Sequence, residues 1–360
     1  MLKFQQKLTE RKKMGSERSL SLFNGFTDFF SNDYLGLGTE AEFQNVKPSG
    51  SGGSRLISGN SQEAENTEKW IAEFFQAEDA LIFNSGYDAN IGFFSSVPQR
   101  GDFILYDDLI HASIRDGIRL SNAKSFSFKH NDIADLTQKL DRIEGTVFVA
   151  VESLYSMDGD IAPLTEISEI CQNANALLIV DEAHACGIFG EQGKGICCQN
   201  AILDQVFARI ITFGKAYGTH GAVVLGSSEL KNYLVNFARS FIYTTALPPY
   251  QYEHIQTQIA KSIDDENRLK LNENIRLFRN LIASKISLSD ENSPIQILLT
   301  PGIENAQKLA NAIQREKIAL KAIFSPTVPE GQERLRICLH AFNTKEEIEK
   351  LCELILQHQS

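Results

Sequence analysis

The 360-residue sequence predicts an α/β fold: a mostly parallel sheet covered by helices, followed by a smaller C-terminal α+β domain. Three observations predict it. From Asp79 to Gly226, short apolar runs alternate with helical patterns. Those runs are continuous rather than alternating, which marks strands buried on both faces. After Pro248-Pro249 the pattern changes to a long helical stretch and then to a shorter mix of strands and helices. A chain of this length also exceeds one ordinary core, so two unequal domains are expected.

The elements follow in order. Residues 1–34 read as an N-terminal arm, polar and helix-like at first; 35–260 form the large domain and 261–360 the small one. Gly50-Ser51-Gly52-Gly53-Ser54-Arg55 follows no strand and lacks the third glycine of a dinucleotide fingerprint, so it reads as a loop. Candidate strands cover 80–83, 103–106, 146–151, 176–180, 208–211 and 222–225. Between them lie helices such as 163–174, with Leu164, Ile167, Ile170 and Cys171 on one face. A helix from about 251 to 283 comes next. The small domain then offers a strand at 295–299, a helix near 306–315, a strand at 335–339, and a last helix with Ile348, Leu351, Cys352 and Ile355 on one face.

The net charge of −11 argues against nucleic-acid binding, which usually needs a basic face. It leaves room for an anionic substrate captured by a local Arg or Lys. No run of about 18 apolar residues predicts a membrane span. The start, Met1-Leu2-Lys3-Phe4-Gln5-Gln6-Lys7, lacks the apolar core of a signal peptide. Cys171, Cys186, Cys197, Cys198, Cys338 and Cys352 show no C-x-x-C pair and no zinc spacing. Reduced thiols, a cytoplasmic location and no metal site are therefore expected. The vicinal Cys197-Cys198 reads as loop filler.

Two strand ends carry the chemistry. Asp181-Glu182-Ala183-His184 closes one apolar run, and Thr212-Phe213-Gly214-Lys215 closes another. An acid at one strand end, a histidine one turn later and a lysine past a second strand suit a pyridine-ring cofactor held as a Schiff base. The carboxylate pairs with a protonated ring nitrogen and the amine forms the imine. Lys215 sits in no G-x-x-x-x-G-K-[ST] frame, so it is not a phosphate-loop lysine. Other strand ends hold Asn84-Ser85-Gly86-Tyr87, Asp107-Asp108 and Glu152-Ser153, where sites gather in parallel sheets. Ser85-Gly86-Tyr87 opens a helical stretch whose N–H groups could close on a phosphate, or it is a plain strand-to-helix turn. His111, just past 103–106, is either a ring-stacking partner or a structural histidine.

Taken jointly, the segments resemble a known family. They are Ser31 to Leu37, Gly50 to Gly59, Phe83 to Asn90, Asp108-Leu109-Ile110-His111-Ala112-Ser113, Glu152 to Asp160, Asp181 to Gly187, Thr212 to Gly218, Thr327-Val328-Pro329 and Arg334-Leu335-Arg336. In this order they resemble the fold-type I, pyridoxal-phosphate-dependent α-oxoamine synthases. The resemblance implies a seven-stranded sheet and a homodimer with shared sites. It implies a Schiff base between Lys215 and pyridoxal 5'-phosphate, with Lys215 then exchanging a proton at the substrate Cα. Asp181 would pair with the ring N–H, His184 and Ser156 would touch the ring O3′ oxygen, and His111 would stack on the ring. Ser85, the backbone at Gly86 and Tyr87, the Thr212 hydroxyl, and Thr244 or Thr245 from a neighbouring subunit would bind the phosphate. Arg336 would grip the amino-acid carboxylate. Asn32 and Glu152 would line the substrate side, with Thr327 and an arm arginine, Arg18 or Arg11, contacting substrate.

Four reactions of that family compete: alanine with a pimeloyl thioester, glycine with acetyl-CoA, glycine with succinyl-CoA, and serine with palmitoyl-CoA. Gly218-Thr219-His220-Gly221-Ala222, the run from Phe241 to Pro249, and Ser325-Pro326-Thr327-Val328-Pro329 resemble the biotin-pathway member, which takes L-alanine and pimeloyl-CoA or pimeloyl-carrier protein. Two departures touch the acyl-donor side. Phe324 stands where many such enzymes have Arg, and Gln62 and Ala64 stand where a His often lies. Some subunits of the family are inactive partners in heterodimers; those lack the lysine that is present here as Lys215.

Overall fold

The computed structural model describes residues 3–17, 22–39, 49–282 and 288–358. The chain divides into two compact units. One comprises Leu35–Tyr155 and Ile161–Glu266, the other Met1–Tyr34, Ser156–Asp160 and Asn267–Ser360.

The first unit is built on a seven-stranded sheet: β1 Asp79–Phe83, β2 Phe103–Asp107, β3 Lys124–Phe128, β4 Val147–Glu152, β5 Leu177–Asp181, β6 Ala208–Thr212 and β7 Ala222–Gly226. In space the order is β1-β7-β6-β5-β4-β2-β3, and β7 alone runs against its neighbours. Leu81 and Phe83 enter a core with Phe93, Ile114, Ile179 and Ile210; Ala80 and Ile82 enter another with Ile71, Phe75, Ile211 and Ile259. Alternate residues of a strand thus meet opposite cores, so the strands need no polar alternation. Each such Ile, Leu or Phe contributes about 1.5–3 kcal/mol by its burial. The apolar runs predict six of these strands. They miss β3, whose Lys-Ser-Phe-Ser-Phe alternates polar and aromatic residues at the sheet edge, with four of five residues exposed.

The helices Gly86–Ser96 and Ala112–Leu120 follow β1 and β2 and pack tightly together. Gly117 is what lets them meet: a Cβ there would lie 2.9 Å from the Asn90 carbonyl oxygen and 2.9 Å from Phe94 Cβ. The predicted 163–174 helix is Leu164–Asn173, with Leu164, Ile167 and Cys171 buried. The loop from Gly50 leads into a π-helical turn, Arg55–Gly59, held by an ion pair from Arg55 to Glu68 at 2.8 Å. The helix predicted from about 251 to 283 is two helices, Pro249–Lys261 and Glu266–Ile282. The Ser262 hydroxyl donates back to the Ile259 carbonyl (2.7 Å), and Asp264 accepts the Glu266 N–H (3.0 Å). These are stop and start signals that outweigh the apolar period.

The second unit holds a three-stranded antiparallel sheet in the order Lys321–Ile323, Arg334–Cys338, Ile295–Leu299. Its helices are Lys3–Lys13, Glu266–Ile282, Ile303–Arg315 and Lys345–His358. The last buries Ile348, Leu351, Cys352 and Ile355, as its period predicts. The strand predicted at 335–339 begins one residue earlier, and Lys321–Ile323 is too short and too evenly half-buried to leave a periodic signal. All six cysteines are free. No helix among the described residues is long and apolar enough to cross a membrane.

Candidate active site

In the first unit the site residues gather where parallel strands end and helices begin. Glu152 ends β4, Asp181 ends β5 and Thr212 ends β6. Strand pairing sets Glu152 level with Asp181, and Asp181 level with Ile210. His111, His184 and Lys215 lie in the turns just beyond β2, β5 and β6, and Ser85, Gly86 and Tyr87 just beyond β1.

Asp181 is buried and met by donors. The Ala183 N–H reaches Oδ1 and the Asn90 amide reaches Oδ2, both at 2.9 Å. His111 caps the Ala112–Leu120 helix, and its Nδ1 lies 2.7 Å from Ser113 Oγ. Burial pushes the His111 pKa below its ordinary 6.5; the Asp181 carboxylate opposes this and the Lys215 cation adds to it. Burial, with the neighbouring Asp181 charge, holds the Glu152 carboxyl well above the usual range, while Lys215 and the His111 N–H pull it down. His111 and Glu152 therefore both feel Asp181 and Lys215, which makes the four residues one electrostatic cluster. His184 is buried beside Asp181 in sequence. The Lys215 turn is closed by the Gly218 N–H on the Lys215 carbonyl (2.8 Å). Gly218 has φ +59, and a Cβ there would strike Gly38 N at 2.1 Å.

The turn after β1 is a helix start. Ser85 Oγ accepts the Asp88 N–H at 3.1 Å, so this hydroxyl serves as the cap. The first N–H groups of the eleven-residue helix Gly86–Ser96 remain for an anion. Thr212 stands against them: an added Cβ on Gly86 would lie 3.6 Å from Thr212 Oγ1. Tyr87 is exposed, with its hydroxyl on Asp116. Asn84 donates to Thr244 Oγ1 (3.2 Å) and the Thr245 carbonyl (2.8 Å), so both threonines sit by the turn after β1 of their own chain. This donor set fits pyridoxal phosphate: helix N–H groups and a hydroxyl for phosphate, a buried carboxylate for a ring nitrogen, and a lysine in the same cluster.

The second unit holds a different group of polar residues. Arg336 is buried, and its guanidinium donates to the Ser156 carbonyl (2.7 Å), Asn32 Oδ1 (2.9 Å) and Cys338 Sγ (2.9 Å). Tyr34 adds a hydrogen bond to the same Asn32 oxygen at 3.1 Å. All these partners are neutral, since burial pushes the Cys338 thiol up. Arg334, two residues earlier, is instead paired with Asp158. In the same unit Thr327 and Arg11 line a cavity of about 440 Å³ with Lys321 and Phe324. Arg18 lies outside the described residues.

Sequence reading misses Asn90, Ser113, Tyr34 and Cys338. The available signals are faint: Asn90 is a polar residue on the buried face of a helix, and Ser113 is two residues past His111. Asp107, Asp108 and His130 come close enough to share a cation. The Asp107 oxygens, however, already hold the Leu109 N–H (2.8 Å), the Asn131 N–H (2.9 Å) and His130 Nδ1 (2.9 Å), which makes it a hydrogen-bond hub tying β2 to the turn after β3.

Residues 24–355 match the family model described as aminotransferase class I and II. An 8-amino-7-oxononanoate synthase of Emericella nidulans is 42% identical, over 91% of this chain and 88% of that protein. One of Lysinibacillus sphaericus is 37% identical, over 98% and 97%. Among solved structures, a serine palmitoyltransferase of S. paucimobilis superimposes with a TM-score of 0.91 at 26% identity, covering 99% of this chain and 97% of that one. An 8-amino-7-oxononanoate synthase of Francisella tularensis gives 0.80 at 32%, covering 93% and 98%.

Proposed function

We propose that this chain, which belongs to the class I and II aminotransferase family and within it to the group of the 8-amino-7-oxononanoate synthases, condenses L-alanine with a pimeloyl thioester. The products are 8-amino-7-oxononanoate, carbon dioxide and the free thiol, and the acyl donor is pimeloyl-CoA or pimeloyl-carrier protein. One observation carries the reading: buried Asp181, held by the Ala183 and Asn90 N–H groups, ends β5 level with Glu152, with His111 and Lys215 in the turns beyond β2 and β6. Pyridoxal 5'-phosphate, bound through Lys215, supplies the electron sink for a carbanion at the alanine Cα. The chain's own groups do the rest. Asp181 holds the proton on the ring nitrogen, and the N–H groups at Gly86 and Tyr87, with Thr212, take the phosphate. Lys215, once free as an amine, takes the Cα proton and later returns it. Arg336 grips the alanine carboxylate through its planar fork, with Asn32 and Ser156 fixing that fork. His111 would cover the ring, His184 would meet its O3′ oxygen, and Thr327 would contact substrate.

The same reading includes a cytoplasmic homodimer. Exposed Ile57, Tyr243 and Leu56 surround a hollow of about 370 Å³ beside Thr244 and Thr245, an apolar surface suited to a second copy. Sedimentation at two protein concentrations checks this, and a monomer at both would exclude shared sites. The reaction is tested by thiol release from cofactor-loaded protein. Release with L-alanine and pimeloyl-CoA is expected. Release only with glycine and acetyl-CoA, or only with L-serine and palmitoyl-CoA, would move the chain to a sibling reaction; no release with any pair would reject the enzyme reading.

A further inference from the structure

We propose that Asn90 and Ser113 are positioning residues that carry the charge of Asp181 to His111 and hold its ring as the neutral tautomer protonated on Nε2. The importance of that ring rests on the roles given above to Asp181 and His111. The direction of each hydrogen bond follows from the groups involved. A carboxylate only accepts, so the Asn90 amide must turn its NH2 toward Asp181 Oδ2, 2.9 Å away. The second hydrogen of that NH2 goes to Ser113 Oγ at 3.0 Å. Because Nδ1 faces the Ser113 backbone N–H and so acts as an acceptor, the Ser113 hydroxyl, 2.7 Å away, gives its own hydrogen to it. The Ser113 backbone N–H also points at Nδ1, at 3.3 Å. A ring nitrogen that accepts two donors carries no proton, so the single proton of the imidazole sits on Nε2.

The rest of the site agrees with this direction. Asn90 Oδ1 is buried with no hydrogen-bond partner among the described residues. An amide free to flip would use that oxygen; this one is fixed by its NH2. Asn90 and Ser113 are buried, and Gly117 presses their two helices together at the Asn90 carbonyl, which sets the 3.0 Å contact. The charged groups acting on the His111 ring are Asp181 and Asp116, which favour a cation, and Lys215, which opposes one; Glu152 takes the His111 backbone N–H. Burial favours the neutral ring, and two donors on Nδ1 reinforce it. The result is an N–H donor at Nε2 that adds no positive charge beside Lys215. Loss of the Asp181 charge would release the amide, then the hydroxyl, then the tautomer.

Nitrogen NMR on full-length protein labelled with 15N-histidine, free of and loaded with cofactor, reads the tautomer directly. The seven histidines are sorted by a difference spectrum against His111→Asn. The expected His111 pattern has its proton on Nε2 and stays constant between about pH 6 and pH 8, where an ordinary imidazole changes charge. In Ser113→Ala the ring should begin to titrate in that range, and the acid limb of kcat/KM should shift toward neutral pH. Ser113→Thr, which keeps the hydroxyl, should restore both. A wild-type His111 protonated on Nδ1, or titrating near 6.5, overturns the proposal. So does a Ser113→Ala spectrum identical to wild type. If Ser113→Ala does not fold, the wild-type spectrum decides alone. None of these spectra requires turnover, so they remain decisive even if the proposed reaction fails.

Discussion

Asp181 and Arg336 are both buried charges, one at a sheet end of the first unit and the other on the central strand of the second. Asp181 is met by N–H donors, from Ala183 and Asn90, in a cluster that also holds Lys215. Arg336 is met by a carbonyl, an amide oxygen and a thiol, none of them charged. Arg334, on the same strand, has the usual solution for a buried guanidinium, the Asp158 carboxylate. The difference separates two kinds of buried charge. Arg334 spends its charge on the fold. Arg336 is oriented by neutral partners and keeps its charge for an anion, while Asp181 is oriented by neutral donors and keeps its charge for a cation.

The largest effect expected is from Lys215→Ala, which removes both the imine-forming amine and the base. Turnover should fall by about 10³-fold or more, and the visible absorbance of the loaded protein should vanish with it. Turnover within tenfold of wild type would remove Lys215 from the chemistry. Asp181→Asn comes next. It keeps the volume but loses the charge, so bound cofactor should remain while kcat drops by about 10²-fold or more. Full activity in that variant would break the link between this carboxylate and the electron sink.

The two arginines sharpen the comparison further. Arg336→Ala should raise KM for the amino acid by about 10–100-fold, since a charge-assisted pair contributes on the order of 1.5–3 kcal/mol. Arg334→Ala should leave that KM unchanged in the folded fraction and cost about 3 kcal/mol of stability, because it strands the Asp158 charge. KM measured beside thermal unfolding separates them. A KM effect at Arg334 with none at Arg336 would reverse the assignment.

What the sequence reveals about this site follows from how each residue is placed. Asp181, Glu152 and Thr212 end apolar strands, and a strand end is a one-dimensional signal. Lys215 and His184 follow within a turn, so they are read off the same segments. Asn90 meets Asp181 across 91 positions of chain, and Arg336 meets Asn32 across 304. Such contacts depend on how helices and strands pack, which no local period encodes. β3 escapes for a related reason: an edge strand needs no second apolar face. The break at Ser262–Asp265 is written in the sequence as Ser-Ile-Asp-Asp, but its weak local signals are masked by the apolar positions on either side.

The effect that touches activity least concerns Glu152, whose carboxyl is raised well above its ordinary 4.5 by burial and by Asp181. An acid whose folded pKa is raised holds its proton in the fold while the unfolded chain releases it. Its stabilising contribution is therefore complete below pH 4.5 and is lost as pH rises toward the folded value. Glu152→Gln has no proton to release. The two proteins should have matching pH dependence below pH 4.5, and above it wild type should lose stability relative to the variant by about 1.4 kcal/mol for each pH unit until the folded carboxyl ionises. In Tm that is about 2–4 °C per kcal/mol for a domain of this size. The Lys215 cation pulls the Glu152 carboxyl down, so in a Lys215→Ala background the divergence should extend to higher pH. Parallel Tm-against-pH curves for wild type and Glu152→Gln would mean that Glu152 ionises normally, and that the cluster around Asp181 holds two buried negative charges rather than one.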